Sequence, residues 1–367
     1  MRVAYVISTL DRCGPVNVLF DIINNLGDDI ETRIFTLAKE PATSRLRDFE
    51  LIGCKVMRVC NSRMESILLG SALLKRGLDS YSPDIVHAHG FRPYLFCQSL
   101  RYPTVATVHN CLYDDFVRTY GRRQASWMTK RELTALKTFN EIVACSKSNA
   151  AYLESNYGLR CLSIRNGVDQ DRFKPVDAAG RLALRRKFGI RPESTVLIST
   201  GGCSELKGTI PLIQGFNRAL DDKHGNVELH IFGEGPIFDI CHQYQSDHVM
   251  LHGFQSDIVP WLQTADLFVS ASCSEGMPLA VLEALSCGCR VLLSDIAPHR
   301  EVVSALHDEE CTFFFSSLDE GTIALDIERA LDAPSKRVDT CSCFGAATMS
   351  ASYRNLYFDC VDKGVEA

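Results

Sequence analysis

The stretch Leu267-Phe-Val-Ser-Ala-Ser-Cys-Ser-Glu-Gly-Met-Pro-Leu-Ala-Val-Leu-Glu-Ala-Leu-Ser-Cys-Gly-Cys-Arg-Val-Leu-Leu-Ser294 decides the fold of the second half of this chain. It starts and ends with short apolar runs, which we predict to be strands at Leu267–Ser270 and Arg290–Ser294. Between them a Gly-Met-Pro turn leads into an apolar helical segment. A strand, a helix and a second strand in this order are typical of a parallel sheet covered by helices.

Two carboxylates bracket that turn, because Glu275 lies directly before it and Glu283 lies eight positions later on the predicted helix. We expect Pro278 at the first helical position, where a missing N–H costs nothing. Backbone N–H groups at the start of a helix favour an anion together with the helix dipole. Here they belong to Gly276, Met277 and Leu279. Two carboxylates around an anion site suit a nucleotide sugar, which has hydroxyls at both ends and phosphates between them.

The same alternation of strands and helices runs through the rest of the chain and predicts an α/β fold with two doubly wound, Rossmann-like domains. It begins with a strand at Arg2–Ser8 and restarts after the irregular loop Asn166–Pro175. We place the domain boundary near residue 165. A last helix is predicted within residues 345–360. Two such domains are expected to hold a ligand in the cleft between them, at the carboxyl ends of their strands.

We predict three helices of the first half from local sequence signals. We predict a helix over Ala42–Leu51, a single long helix over Tyr120–Phe139, and a helix over Ser148–Tyr157 with Ser148 as its N-cap. The long helix carries a cluster of basic residues, namely Arg118, Arg122, Arg123, Lys130, Arg131 and Lys137. This cluster is either a solvated helix face or a patch for anionic lipid head groups or a pyrophosphate-linked acceptor.

Composition narrows the class of protein. The net charge of −6 divides into +5 over residues 1–170 and −11 over the remainder. No motif for nucleic-acid recognition accompanies the basic cluster, so we expect no nucleic-acid partner. No apolar run is long enough to span a bilayer. The 16 cysteines lack zinc-site spacing and mostly lie in apolar runs. We therefore expect buried thiols without a disulfide framework, and a cytoplasmic protein.

Three loops of the second half follow predicted strands. Gly201 begins a glycine-containing loop that ends in Lys207-Gly208, and its glycines and lysine suit a phosphate. Gly233-Glu-Gly-Pro236 forms a tight turn against a ligand or another loop. Phe254 follows His252-Gly253 and either presents its backbone to a nucleobase or belongs to the core. Each loop is also compatible with an ordinary turn between a strand and a helix.

The first half offers two further candidates. His109 closes a predicted strand and could donate to a sugar hydroxyl or a departing phosphate, although a histidine there is often structural. Gly14 belongs to a possible phosphate-facing loop after the first strand. His87 and His89 face the same side of their strand, but no third ligand accompanies them, so we expect no metal site.

Together these motifs resemble the large family of retaining GT-B glycosyltransferases, which includes many bacterial capsule, lipopolysaccharide and exopolysaccharide enzymes. The resemblance covers nearly the whole chain. Its most specific part is the pair Glu275 and Glu283, which are separated by seven residues and of which Glu275 lies within Ser-Glu-Gly-Met-Pro. Supporting parts are the Lys207-Gly208 loop, the Gly233–Pro236 turn, Asn166-Gly-Val-Asp169 and Pro83-Asp-Ile-Val-His-Ala-His-Gly90.

The resemblance implies a retaining, metal-independent transferase that moves a hexose from a nucleoside-diphosphate sugar, UDP rather than GDP, to a glycan or lipid-linked acceptor. It implies an acceptor domain of residues 1–164 plus 345–367, and a donor domain of residues 165–344. It needs no cofactor, and it places the protein in the cytoplasm at the inner face of the membrane. Helix dipole and lysine would replace a metal at the leaving diphosphate.

The resemblance also implies roles for single residues. Glu275 would contact the transferred sugar, which His109 would face from the first domain, and Glu283 would contact the ribose. Lys207 and the N–H groups of Gly14, Gly276 and Met277 would hold the diphosphate. The alternative for Glu283 is an ion pair to Arg290 or Lys207.

One position departs from the family, which usually has an arginine where this chain has Gly202. Either another basic residue, such as Arg165 or Arg12, acts on the diphosphate, or donor binding is weaker. Two rival hypotheses follow: a non-catalytic partner protein of the same fold that binds acceptor, and a nucleotide-sugar epimerase.

Overall fold

The computed structural model describes residues 1–220, 226–306, 309–334, 336–338 and 344–365. The chain divides into two compact units, one of residues 1–167 with 344–367 and one of residues 168–343. Each unit contains one sheet in which every strand pair is parallel. The predicted fold class, two doubly wound Rossmann-like domains, is confirmed.

The N-terminal unit has a seven-stranded sheet in the order β3-β2-β1-β4-β5-β6-β7. Its strands are β1 (Arg2–Ile7), β2 (Glu31–Thr36), β3 (Lys55–Arg58), β4 (Ile85–His89), β5 (Thr104–Val108), β6 (Glu141–Ala144) and β7 (Leu162–Ser163). Its helices are α1 (Gly14–Asn24), α2 (Leu46–Leu51), α3 (Arg63–Tyr81), α4 (Phe91–Cys97), α5 (Tyr113–Tyr120), α6 (Arg122–Leu136) and α7 (Lys147–Tyr157). Every residue of β4 and β5 is buried, as expected of central strands covered on both faces.

The C-terminal unit has a six-stranded sheet in the order β10-β9-β8-β11-β12-β13. Its strands are β8 (Thr195–Thr200), β9 (Val227–Phe232), β10 (Val249–Leu251), β11 (Leu267–Ser270), β12 (Arg290–Ser294) and β13 (Thr312–Phe315). Its helices are α8 (Ala178–Lys187), α9 (Thr209–Ala219), α10 (Phe238–Cys241), α11 (Val259–Thr264), α12 (Leu279–Ser286), α13 (Ala297–Val303) and α14 (Glu320–Asp332).

The last helix, α15 (Ala346–Val365), belongs to the N-terminal unit. It packs against α1 and inserts two tyrosines, Tyr353 and Tyr357, that are fully buried. Ser350 donates its hydroxyl to the carbonyl oxygen of Ile22 at 2.8 Å. The end of the chain is therefore part of the core of the first unit.

Several local predictions differ from the structure in their bounds. The predicted helix over residues 120–139 is the shorter helix α6, and Gly121, with a φ of 78°, separates it from α5. The N-cap of α7 is Ser146, whose side chain accepts from the N–H of Asn149 at 3.0 Å, and not Ser148. Helix α2 begins only at Leu46.

The described cysteines behave as small buried side chains. Fourteen of them lie in the described parts of the chain; none forms a disulfide there, and most are buried. Among the described helices, none combines the length and the apolar character needed to cross a membrane.

Candidate functional site

The C-terminal unit brings four loops together at one edge of its sheet. Strand β8 comes first in the chain, and β9 and β11 lie on its two sides, so the order of connection reverses between β8 and β11. In a doubly wound sheet, the loops that follow the strands at this switch point diverge and leave a crevice for a ligand. Lys207 lies in the loop after β8, and Glu275 lies in the loop after β11.

An ion pair joins these two loops. Lys207 Nζ lies 2.5 Å from Glu275 Oε1, with 33% of the lysine side chain and 14% of the glutamate side chain exposed. The N–H of Cys273 donates to the carbonyl oxygen of Leu206 at 2.8 Å, which fixes the two loops side by side. Two residues 68 positions apart are thus brought together at the switch point.

Glycines allow the backbones of these loops to approach each other. Gly208 has a φ of +62°, and a Cβ there would lie 2.3 Å from the carbonyl oxygen of Ala271. Gly233 has a φ of +125°, and a Cβ there would lie 1.8 Å from the carbonyl oxygen of Gly201. The loops after β8, β9 and β11 are therefore packed backbone against backbone. The glycines are needed for this packing, whether or not a phosphate also binds there.

Gly202 differs from these glycines. It is exposed, and a Cβ there would lie 3.4 Å from the carbonyl oxygen of Glu234, at the border of ordinary contact. The fold therefore has room for a side chain at this position. The two basic residues considered as substitutes belong to the N-terminal unit. Arg165 lies over the ring of Phe344, and Arg12 Nη2 lies 3.9 Å from an oxygen of Asp48.

The loop after β11 leads into α12 one residue later than predicted. Helix α12 begins at Leu279, and Pro278 takes the N-cap position in front of it. Gly276, Met277 and Pro278 are buried, so this turn is fixed by packing. The amino end of α12 thus begins four positions after Glu275, and a helix dipole favours negative charge at such an end.

Glu283 and Phe254 complete the predicted set in this unit. Glu283 is partly exposed on α12. The guanidinium of Arg290 donates to the carbonyl oxygens of Ala330 and Ala333, at 3.1 and 3.2 Å. Phe254 is 48% exposed, so the alternative that it is a core residue is wrong. Its N–H donates to Glu234 Oε1 at 3.4 Å, which links the loops after β9 and β10.

His299 is a residue near this site that the sequence did not single out. It is fully buried on α13, and its Nδ1 lies 2.8 Å from the carbonyl oxygen of Ser294, so Nδ1 carries the hydrogen. Its Nε2 is buried without a hydrogen-bond partner among the described residues. Burial lowers the pKa of His299, while the charge of Glu275 raises it and that of Lys207 lowers it. The proximity of His299 to Glu275 and Lys207 depends on α13, a helix that the sequence pattern did not predict.

The N-terminal unit has its own switch point between β1 and β4, and its two candidates follow β1 and β5. Gly14 is the first residue of α1, directly after the loop that follows β1. His109 follows β5, and its Nε2 lies 2.9 Å from Nδ1 of His89 at the end of β4. Burial lowers the pKa of His109 to about 4.

The basic cluster is split between two helices. Arg122, Arg123, Lys130 and Arg131 are exposed on α6, whereas Arg118 belongs to α5 and its side chain lies outside the described residues. Trp127 on α6 is 58% exposed, and the guanidinium carbon of Arg131 lies 5.7 Å from the centre of its ring. The outer face of α6 is therefore both basic and aromatic.

No group of three or more His, Cys, Asp or Glu side chains in the described parts of the chain is placed to hold a metal ion. His87 has both ring nitrogens occupied, by Tyr357 and Thr107 at 2.7 Å each, which excludes it as a ligand in this arrangement. The metal independence of the chemistry remains a prediction.

Two family models match the two units in turn. Residues 13–172 match the model described as Glycosyltransferase Family 4, and residues 194–333 match the model described as Glycosyl transferases group 1. Among curated relatives, the chain is 28% identical over 282 residues to the putative glycosyltransferase EpsD of Bacillus subtilis, covering 71% of each chain. It is 24% identical to the O-antigen biosynthesis glycosyltransferase WclY of Escherichia coli, covering 86% of this chain and 84% of that one.

Solved structures share the fold across the whole chain. HepE of Anabaena, crystallised in complex with UDP-glucose, superimposes with a TM-score of 0.75 at 17% identity, covering 100% of this chain and 98% of that one. The fold is thus the GT-B fold.

Proposed function

The chain carries a Family 4 and a group 1 glycosyltransferase domain, and from this premise we propose that it is a retaining, metal-independent hexosyltransferase. Its donor is a UDP-sugar, and its acceptor is a glycan or a lipid-linked sugar in the synthesis of a cell-surface polysaccharide or glycoconjugate. The observation that carries this proposal is the ion pair of Lys207 and Glu275, which stands at the switch point of the C-terminal sheet.

Lys207 is the group proposed to hold the diphosphate of the donor. Its ammonium is paired with the carboxylate of Glu275, and one-third of the lysine side chain is exposed, so a diphosphate can replace Glu275 as its partner. The amino end of α12 adds a second source of positive potential beside it. Gly201 and Gly233 let backbone approach the same place without side chains in between.

Glu275 is then proposed to turn from Lys207 to hydroxyls of the transferred sugar, which a carboxylate recognises with charge-assisted hydrogen bonds. Glu283 lies four positions after the first residue of α12 and is proposed to accept hydrogen bonds from the hydroxyls of the ribose. Phe254 and its exposed ring stand at the end of β10, the neighbouring strand of β9, and are proposed to meet the nucleobase.

The proposed reaction breaks the bond between the anomeric carbon and the diphosphate oxygen and forms a bond from that carbon to an acceptor hydroxyl oxygen. The acceptor proton passes to the leaving diphosphate, on the same face of the sugar, so the anomeric configuration is retained. Lys207 and the amino end of α12 stabilise the charge that develops on the leaving group, which is the largest contribution of protein groups in many such reactions.

The choice of donor and acceptor rests on the relatives. HepE, which has the same fold, was crystallised with UDP-glucose, and this supports UDP over GDP. WclY is named for O-antigen biosynthesis, and this supports a surface glycan as the product. Gly14 after β1 and His109 after β5 are proposed to contribute to substrate binding from the N-terminal unit.

The basic and aromatic face of α6 is proposed to contact anionic lipid head groups. Exposed lysine and arginine side chains attract anionic lipids, and tryptophan favours the membrane interface. We expect the chain to sediment with vesicles that contain an anionic lipid and not with neutral vesicles. Binding to both kinds of vesicle, or to neither, would contradict this part of the proposal.

Transfer is tested by incubating the chain with single UDP-sugars and GDP-sugars together with a mixture of lipid-linked and free glycan acceptors. We expect release of UDP from one sugar only when an acceptor is present, and loss of that release in Glu275→Ala. Release without any acceptor and with recovery of a different sugar nucleotide would indicate an epimerase instead.

Gly202 favours one other candidate function. Without an arginine at this exposed position, the diphosphate has one cation fewer, which favours a non-catalytic partner protein that binds acceptor. Calorimetry with a panel of UDP- and GDP-sugars separates the two functions. Binding of at least one sugar nucleotide supports the transferase, and binding of none supports the partner protein.

A further inference from the structure

Two pairs of polar side chains are hydrogen-bonded between β4 and the end of β5. We call the pair His87 and Thr107 the lower step, and the pair His89 and His109, nearer the carboxyl ends of the strands, the upper step. In the lower step, Nε2 of His87 lies 2.7 Å from Oγ1 of Thr107. In the upper step, Nδ1 of His89 lies 2.9 Å from Nε2 of His109. Each of these two histidines of β4 thus contacts the residue twenty positions later in the chain. The upper step stands at the carboxyl ends of the two strands, where ligands of doubly wound domains bind.

The lower step holds the ladder in place. Tyr357 of α15 places its hydroxyl 2.7 Å from Nδ1 of His87, and Tyr353 places its hydroxyl 2.9 Å from Oγ1 of Thr107. The rings of His87 and His89 are in contact, with their centres 4.2 Å apart. His89 is therefore buried above a fixed layer, and only 2% of it is exposed.

In the hydrogen bond between His89 and His109, one ring nitrogen donates a hydrogen and the other accepts it. Either histidine can be the donor. A neutral imidazole carries hydrogen on one nitrogen only, and burial lowers the pKa of His89 well below its usual value and that of His109 to about 4. Either His89 donates from Nδ1 to His109, or His109 donates from Nε2 to His89.

The buried nitrogen of His89 decides between them. Its Nε2 has no hydrogen-bond partner among the described residues. If His109 were the donor, this Nε2 would carry a hydrogen and would be a buried N–H without an acceptor. If His89 is the donor, Nε2 is only a bare acceptor. Orphaned buried N–H groups are rarer than unsatisfied acceptors, so the second arrangement is favoured.

We propose that His89 is a positioning residue that donates from Nδ1 to Nε2 of His109 and thereby fixes the hydrogen of His109 on Nδ1. His109 is partly exposed, and no described residue hydrogen-bonds its Nδ1, so this N–H is open to a ligand. His109 then donates to a sugar or acceptor oxygen and does not act as a general base. The consequence for substrates rests on the proposed glycosyltransferase function.

The tautomer is tested on the full chain labelled with ¹⁵N-histidine, at pH 7 and without substrate. Two-bond proton–nitrogen correlation spectra distinguish the two neutral tautomers, and the signals of His109 are assigned by their loss in His109→Gln. We expect Nδ1 of His109 to be protonated and Nε2 to be bare. A protonated Nε2, or a histidinium ring, would overturn the inference. This result does not depend on any enzymatic activity.

The effect on substrates is tested with two variants. His89→Asn keeps an amide N–H near the place of Nδ1, whereas His89→Phe keeps the ring without a donor. We expect His89→Phe to lower kcat by about tenfold or more, the effect of one hydrogen bond lost in the transition state, while His89→Asn stays near wild type. Equal losses in the two variants would show that His89 acts by packing alone. Absence of any sugar transfer by the wild type would contradict the proposed function and leave the tautomer assignment standing.

Discussion

Glu275 Oε1 lies 2.5 Å from Lys207 Nζ across the switch point of the C-terminal sheet. The two charges are paired with each other, and both side chains are only partly exposed. A substrate that carries phosphate for the lysine and hydroxyls for the carboxylate can separate the pair without leaving either charge uncompensated. The pair is therefore compatible with recognition of a sugar nucleotide.

Replacing Glu275 should separate turnover from nucleotide binding. In Glu275→Gln the sugar loses a charged partner, so we expect kcat to fall by about 10²-fold or more, as for the loss of a positioned polar group. UDP itself should bind as tightly as to wild type, or more tightly, because Lys207 no longer has a carboxylate partner. Initial rates and calorimetry measure the two effects, with Glu205→Gln, an exposed residue in the loop after β8, as control. Weaker binding of UDP would contradict this assignment.

Replacing Lys207 should weaken the binding of UDP, in contrast to the replacement of Glu275. Lys207→Met keeps the aliphatic stem and removes the ammonium, and loss of a charged hydrogen bond costs about 1.5–3 kcal/mol. We therefore expect UDP to bind roughly 10- to 100-fold more weakly. Lys187→Met, at the end of α8, removes the same charge from another part of the unit and should leave binding unchanged. Equal binding of UDP to wild type and Lys207→Met would show that the lysine serves only Glu275.

Gly202→Arg should strengthen donor binding. The position is exposed, and a Cβ there meets only the carbonyl oxygen of Glu234 at 3.4 Å, so the backbone tolerates a side chain. An arginine that reaches the diphosphate adds a charge-assisted contact, for which we expect UDP to bind about tenfold more tightly. Gly321→Arg on α14 adds the same charge elsewhere in the unit and is the control. If both variants bind UDP like wild type, position 202 does not face the phosphates.

Gly233→Ala and Gly53→Ala should differ in stability although both glycines have positive φ. Gly53 has a φ of +80° and no atom within 4 Å of a built Cβ, so only backbone strain of about 1–2 kcal/mol is expected. At Gly233 the Cβ would lie 1.8 Å from Gly201 O, so the loops must move and the loss should exceed that of Gly53→Ala. Urea unfolding followed by circular dichroism measures both. Similar losses would show that the loop packing is soft.

We expect the N-terminal unit to become less stable as pH rises, because the buried carboxyl group of Glu132 ionises. Glu132 is 2% exposed on α6, and burial, with the charge of Asp115, raises its pKa to about 8. Its pKa in the unfolded chain is lower, so the folded state binds the proton more tightly. The stabilisation is complete below the unfolded pKa and is lost as pH rises toward 8, at about 1.4 kcal/mol per pH unit at most.

Unfolding by urea at pH 5, 6, 7 and 8 tests this dependence. Glu132→Gln cannot ionise, so we expect its stability to vary less over this range than that of the wild type. Glu50→Gln, exposed at the surface, should follow the wild type. An unchanged pH dependence in Glu132→Gln would mean that another group is responsible.

The strands of the C-terminal unit were predictable because their residues are apolar and bounded by clear turns. The strands Leu267–Ser270 and Arg290–Ser294 have the predicted bounds. The strand Thr312–Phe315 was missed, because the segment around it lacks a clear helix–strand alternation. Local pattern thus identified β11 and β12 but not β13, the strand at one edge of the sheet.

The side chains of the site were predictable one by one, but their contacts were not. Lys207 and Glu275 follow different strands, and only the order of the sheet brings them together. His299 reaches the same region from α13, a short helix without a strong pattern. The bond between His89 and His109 likewise depends on the register of β4 against β5. Sequence motifs indicate which residues carry the chemistry, and topology determines which of them meet.

The most direct test of the proposed site is calorimetric titration of UDP into the wild-type chain and into Lys207→Met under the same conditions. We expect one UDP bound per wild-type chain and binding at least about tenfold weaker in Lys207→Met. Failure of the wild type to bind either UDP or GDP, or identical binding of UDP by the two proteins, would contradict the claim that the pair of Lys207 and Glu275 marks a nucleotide-sugar site.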